Sequence, residues 1–332
     1  MALVYLSPFI VISVEYLAGF LDGEGQVSLA RIPRRRSNEY CVRVVIYNTD
    51  RGILHEIRRT WGGVLTSVGS RSPRWKPSYA LIWTNASAFR LLTVVKRHLR
   101  VKSKQATALD EFLNHARKCR RRRDRFGRLL PLSIREVKLR EAFYTRLKLL
   151  NRRGSTLVPW RGEAVARSGA PRNVPVKYLA GFIDAEGCLM IAKVRSPAHL
   201  RPRYSARVSI GNTNRAILED TQQSYGGILA NQPARTAGWK DAYQLIWTHR
   251  SVERLLRSIQ PYLRIKRRHA KILLQFIGHK KKTRQGRLGK GFAPLPPRIV
   301  AYREALYTKL RQLNAKGPLV HGGSGANPGC CG

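Results

Sequence analysis

A chain of 332 residues, 43% of them apolar, can bury two domain cores and is too apolar to be disordered. Its 63 Lys and Arg against 19 Asp and Glu give a net charge of +44. A compact body carrying that field repels itself unless a polyanion neutralises it, so the composition points to nucleic acid. Arg supplies 45 of the basic residues. That favours bidentate phosphate or guanine contacts, although a GC-rich coding sequence also raises Arg. The cysteines, Cys41, Cys119, Cys188, Cys330 and Cys331, show no paired spacing and no nearby His cluster. The expectation is neither a disulfide framework nor a zinc site, and an intracellular, reducing compartment.

The opening MALVYLSPFIVISV is apolar, lacks a basic start and contains Pro8, so it reads as a lead-in strand or staple on the first domain rather than a targeting signal. VEYLAGFLDGEG reads as a helix, with Leu17, Phe20 and Leu21 on one face and Ala18, Gly19 and Gly23 on the other. Residues 26–32 and 40–47 read as a hairpin in which Val42, Val44 and Ile46 point inward and alternate with Cys41, Arg43, Val45 and Tyr47. NTDRGILHEIRRTWGG reads as a helix with Asn48 or Thr49 near its N-cap and Gly62 at its end. Strands over 64–71 and 78–84, the helix ASAFRLLTVVKRHL and a terminal helix follow.

The same order then recurs. EYLAGFLDGEG at 15–25 returns as KYLAGFIDAEG at 177–187, and VVIYNTDRGILHEIRRTWGG at 44–63 as VSIGNTNRAILEDTQQSYGG at 208–227. YALIWTN matches YQLIWTH, HLRVKSKQA matches YLRIKRRHA, and FYTRLKLLNRRG matches LYTKLRQLNAKG, at offsets of 162 to 164 residues. That period is too long for a solenoid and fits a duplicated domain. The copies span 1–152 and 176–317, a Gly/Pro/Ser-rich linker lies at 153–175, and the tail 318–332 is expected to be disordered.

The first helix of each copy has small residues on one face, Gly19/Gly23 and Gly181/Ala185, which permit a second helix to approach closely. If the two helices pair, each C-terminal end brings one carboxylate, Glu24 or Glu186, to a position the helix dipole disfavours. Two such carboxylates suit Mg²⁺, whereas a single solvated glutamate would need no such explanation. Asp22 and Asp184, two residues before those glutamates, read as structural.

LAGFLDGEG and LAGFIDAEG resemble the two signature motifs of the single-chain LAGLIDADG homing endonucleases, and the resemblance runs over about residues 14–317. It implies an α+β fold. Two pseudosymmetric αββαββα domains carry antiparallel four-stranded sheets that form a DNA-binding saddle around two central helices. Glu24 and Glu186 match the metal-binding acidic positions, helped by the carbonyls of Gly23 and Ala185; Glu stands where the motif has Asp. Lys102 and Lys266, in LRVK and LRIK, match the basic residue that meets the scissile phosphate, where a cation offsets transition-state charge. Asn48 and Asn212 match a polar position that orients water, and capping of the next helix explains them equally well.

Side chains opposite the core face are expected to reach base edges. They are Arg43, Val45 and Tyr47 in the first copy and Arg207 and Ser209 in the second, with Gln232, Gln244, Arg31 and Arg71. A one-residue register slip would exchange the faces. The basic runs 117–128 and 279–290 sit at equivalent places and suit phosphates flanking the target. The resemblance implies a monomeric, Mg²⁺-dependent endonuclease that needs no membrane or protein partner. Mn²⁺ would substitute, and Ca²⁺ would support binding without cleavage. It would cut both strands of a long asymmetric double-stranded DNA site across the minor groove, leaving short 3′ overhangs, in intron homing within an organelle or prokaryotic cytoplasm. The alternatives are an RNA-splicing maturase that binds intron RNA on the same scaffold and a non-cleaving DNA-binding relative.

Overall fold

The computed structural model describes residues 11–33, 38–69, 76–119, 125–126, 130–152, 172–194, 202–234, 240–283, 287–288, 291–292 and 295–315. Residues 1–69 with 77–153 form one compact unit, and residues 154–332 with 70–76 form the other. Arg71, most of the linker, the tail and the middle of both basic runs lie outside the described residues.

In the first unit α1 (Val14–Glu24) starts at Ser13, whose hydroxyl accepts from the Tyr16 amide, and passes without a loop into β1 (Gly25–Ile32). β2 (Glu39–Asn48), α2 (Arg51–Trp61), β3 (Val64–Gly69), β4 (Ser78–Thr84) and α3 (Asn85–Val95) follow. A 3₁₀ turn at Lys96–His98, α4 (Ser103–Lys118) and α5 (Ile134–Leu150) complete the copy. The second unit repeats the order as α6 (Val176–Glu186), β5 (Gly187–Val194), β6 (Arg203–Asn212), α7 (Arg215–Tyr225), β7 (Ile228–Gln232) and β8 (Ala242–Thr248). It ends in α8 (Arg250–Ile259), α9 (Arg267–Lys282) and α10 (Pro297–Leu313). Among the described residues three α-helices follow the last strand of each copy, where the sequence reading has two; the one it lacks is α4 or α9, which starts directly after the LRVK or LRIK turn. A two-stranded ribbon, β9 (Arg287–Leu288) with β10 (Gly291–Phe292), spans the end of the second basic run.

Each sheet is antiparallel in the order β1-β2-β4-β3 or β5-β6-β8-β7. The inward set is as expected: Val42, Val44 and Ile46 have no exposed surface, and neither do Leu17, Phe20 and Leu21 of α1. Trp83 and Trp247 anchor the two cores, their indole N–H groups donating to Trp61 O at 3.0 Å and Tyr225 O at 3.1 Å. Burying such an aromatic contributes about 2–3 kcal/mol, and the hydrogen bond removes the penalty of a stranded N–H. The end of the lead-in does staple the first unit: Ile12 is buried and its carbonyl accepts from the Trp61 indole. Val174 plays the same part in the second unit, accepting from the Tyr225 hydroxyl at 2.8 Å.

The glycine that closes each motif is required by space. A Cβ on Gly25 would lie 2.5 Å from the Leu21 carbonyl oxygen, and one on Gly187 would lie 2.6 Å from that of Ile183. No real side chain tolerates that approach, so the helix turns directly into the strand only with Gly at this step.

Candidate active site

The chemistry at the end of α1 is organised by Asp22. This carboxylate is 1% exposed and accepts three successive backbone amides: Arg100 at 2.7 Å, Val101 at 3.1 Å and Lys102 at 2.8 Å. Asp184 repeats the arrangement with Arg264 at 2.6 Å, Ile265 at 3.3 Å and Lys266 at 2.8 Å. A buried carboxylate is stable only when so satisfied, and amide donors compensate its charge. The structural reading of both aspartates is thereby made specific: each ties the end of the motif helix to the turn that carries the lysine.

That turn sends the lysine back onto the same helix. Lys102 Nζ donates to Leu21 O at 2.9 Å, to Asp22 O and, at 3.4 Å, to Gly23 O. Lys266 Nζ donates to Ile183 O at 2.9 Å and to Asp184 O. A cation at a helix C-terminus satisfies orphan carbonyls and complements the dipole. Glu24, one residue beyond, is exposed, and Glu186 is half-buried. Each helix end therefore gathers a carboxylate and backbone carbonyls, hard oxygen donors that suit Mg²⁺ or Ca²⁺, beside an ammonium group.

Asn48 lies near this end, because Gly25 pairs with Ile46 and the strand runs two residues further. It is not a helix cap. Its Oδ1 accepts from the Asp50 amide at 2.8 Å, and Asp50 caps α2; Asn212 and Asn214 repeat the pair. The N-cap of α2 is Asp50 rather than Asn48 or Thr49, since each first Asn forms an Asx turn that hands over to the true cap.

The outward face of the second sheet has the expected register. Gln244 Oε1 accepts from Gln232 Nε2 at 3.0 Å and from Arg207 Nη2 at 3.3 Å, so three candidates form one string. Arg43 and Tyr47 lie on the corresponding face of the first sheet, with Tyr47 37% exposed. Val45 and Ser209 are corrections. They are 1% and 3% exposed, on central strands between Gln26 and Ile82 or between Cys188 and Ile246, and short side chains there are covered. Strand parity also brings Gln26, Ser28 and Thr66 to the outer face, which the sequence reading missed.

Arg31 is a further correction. It pairs across strands with Tyr40, on the face of buried Val27 and Leu29, and donates to Glu141 of α5 at 3.0 Å while lying 5.1 Å from the Tyr144 ring. The Tyr40 hydroxyl also donates to Glu141; burial and that carboxylate raise its pKa to about 12. Lys193, Tyr204, Glu304 and Tyr307 repeat this cluster in the second unit. These cations hold the last helix to the sheet edge.

No family model matches the chain. Over 104 residues it is 34% identical to DNA endonuclease I-CvuI of Chlorella vulgaris, a match covering 30% of this chain and 62% of that protein. A mutant of I-SmaMI superposes with a TM-score of 0.64 at 11% identity, covering 90% of this chain and 97% of the other. The LAGLIDADG meganuclease I-AabMI bound to uncleaved DNA gives 0.59 at 20% identity, over 91% and 100%. I-GzeII, a LAGLIDADG homing endonuclease in complex with its DNA target, gives 0.60 at 12% identity, over 89% and 97%.

Proposed function

We propose, for a chain that has the fold and both motifs of the single-chain LAGLIDADG proteins, that it is a site-specific, metal-dependent DNA endonuclease acting in intron homing. The observation that carries this reading is the twofold device at the motif helices: a buried aspartate, three amides, a returning lysine and a terminal glutamate, repeated residue for residue. A fold alone would need the aspartates but not the glutamates at an unfavourable helix end.

In this reading Glu24 and Glu186, with the Gly23 and Ala185 carbonyls, hold divalent metal. A bound Mg²⁺ supplies Lewis-acid stabilisation of the scissile phosphate and lowers the pKa of attacking water. The chain's own residues do the rest. Asp22 and Asp184 fix the lysine-bearing turns, and Lys102 and Lys266 place a positive charge where phosphate charge builds up. Asn48 and Asn212, held by their Asx turns, present amide groups that orient water. Arg43, Tyr47, Arg207, Gln232 and Gln244 read base edges, and the net charge of +44 supplies phosphate affinity. Double-stranded DNA with a long asymmetric site is the substrate, and the chain acts as a monomer. Among the described residues, no helix is long and apolar enough to cross a membrane.

The test is selection of cleaved duplexes from a randomised library, with Mg²⁺ or Ca²⁺. Expected is one long asymmetric target cut in both strands with Mg²⁺ and bound uncut with Ca²⁺, with cutting lost in Glu24→Gln and Glu186→Gln. Cutting that survives both substitutions overturns the assignment. Binding to intron RNA without DNA cleavage would identify a maturase instead.

A further inference from the structure

Outside the motif helices, one side-chain cluster gathers donors of a different kind. His115 and Cys119 stand one turn apart at the end of α4, and Glu136 lies in the first turn of α5. His115 Nε2 is 2.7 Å from Glu136 Oε2 and 3.4 Å from Cys119 Sγ, and all three donor atoms fall within 4.8 Å of one another. The sequence reading expected no zinc site because it found neither paired cysteines nor a His cluster near them. Here the third ligand comes from the next helix, across a run of arginines.

We propose that His115, Cys119 and Glu136 form a zinc site that clamps α4 to α5. Tetrahedral Zn²⁺ with bonds of about 2.0–2.3 Å places its ligand atoms about 3.3–3.6 Å apart. The observed nitrogen–sulfur separation already has that length, and the nitrogen–oxygen pair must open by about half an ångström. One imidazole, one thiolate and one carboxylate make a borderline-soft donor set that suits Zn²⁺ and is wrong for Mg²⁺. The second Glu136 oxygen accepts from Arg140 Nε, which fixes the carboxylate and leaves Oε2 for the ion. A fourth position remains for water.

The second copy supplies an internal control. Thr283 and Ile299 stand where Cys119 and Glu136 stand in the first copy, so the second copy lacks this donor set at the equivalent place. The ion would join the two ends of the basic segment 120–132, pinning its roots without touching the motif glutamates. The site is independent of the nuclease reading, and its test needs no DNA.

The probe is Co²⁺ added to the full-length, chelator-treated protein, because a cobalt–thiolate bond absorbs in the near ultraviolet. Expected is a charge-transfer band that saturates at one equivalent and is displaced by Zn²⁺. Cys119→Ser abolishes the band, whereas a Cys330→Ser/Cys331→Ser double variant keeps it. His115→Gln and Glu136→Gln each weaken Zn²⁺ binding more than about tenfold, the least that losing even an outer partner of a metal ligand costs. Zn²⁺ raises the thermal midpoint of the parent but not of His115→Gln. Absence of the band in the parent, its survival in Cys119→Ser, or unchanged Zn²⁺ affinity in His115→Gln overturns the proposal.

Discussion

The junction of the last two helices is built differently in the two copies. In the first, Arg140 Nε meets Glu136 Oε1 at 2.5 Å, and that carboxylate also holds His115. In the second, the equivalent Arg303 has Ile299 one turn back. Its Nη2 bonds to the Thr283 hydroxyl at 3.0 Å and the Thr283 carbonyl at 3.3 Å, while Nε is buried without a partner. His279, the counterpart of His115, packs on Tyr302 with ring centres 4.4 Å apart. At the motif helices, by contrast, both copies tie the aspartate to three amides and return the lysine to the helix carbonyls. The same fold therefore tolerates different chemistry at the junction of its last helices and repeats a single chemistry at the ends of the motif helices.

The comparison breaks most severely if the shared device is not needed. Asp22→Ala or Asp184→Ala strips an acceptor from three amides, and each should cost about 3–5 kcal/mol, measured by urea unfolding. A loss below about 1 kcal/mol would mean that water replaces the carboxylate and that the turn holds itself.

The lysines test whether the two ends act separately. Lys102→Met and Lys266→Met should each slow one strand about 10²–10³-fold and leave the other near the parental rate, giving nicks on opposite strands. Strand-specific end labelling reads this directly. Equal loss on both strands in either variant would reduce the lysine to its capping bonds with the helix carbonyls.

A smaller effect separates His269 from its counterpart Gln105. Gln105 donates to the Leu150 carbonyl at 3.2 Å, whereas His269 is 8% exposed, and burial followed by the charge of Lys266 lowers its pKa from 6.5 to about 4. Between those values the unfolded chain binds a proton that the folded chain refuses. Stability is thus complete above pH 6.5 and declines as pH falls toward 4, by about 2–3 kcal/mol. His269→Gln should flatten that acid limb in unfolding curves measured from pH 7 to 4. An unchanged slope assigns the acid sensitivity to other groups.

The smallest effect sharpens the contrast at the junction. Ile299→Glu gives Arg303 the carboxylate that Arg140 already has, at i,i+4 spacing. It should raise stability by about 0.3–1 kcal/mol, visible as a higher thermal midpoint. A lower midpoint would show that Ile299 contributes more by packing.

The strands, their succession along the chain and the motif helices were legible because hydrophobic period and internal repetition agree there. What the sequence concealed depends on partners distant in the chain. Arg31 shares the parity of buried Val27 and Leu29, so alternation already assigns it to the inner face; what the sequence hides is its partner, Glu141 of α5, 110 residues later. Val45 and Ser209 have the right parity, but only the flanking strands reveal that they are covered. Asn48 looked like a cap, and an Asx turn moved the cap two residues on. The zinc ligands escaped because two of the three sit on one helix and the third follows an arginine run.

The direct passage from α1 to β1 carries a consequence for how this chain can vary in length. Gly25 leaves no room for a side chain, and no loop residue lies between helix and strand to absorb slack. One residue added there would invert β1, turning Val27 and Leu29 to solvent and Gln26 and Ser28 into the core. Insertions and deletions belong instead in the segments that join one strand or helix to the next, away from this joint. The joint thus works as a phase lock, setting which side of the sheet faces outward before any outward residue is chosen.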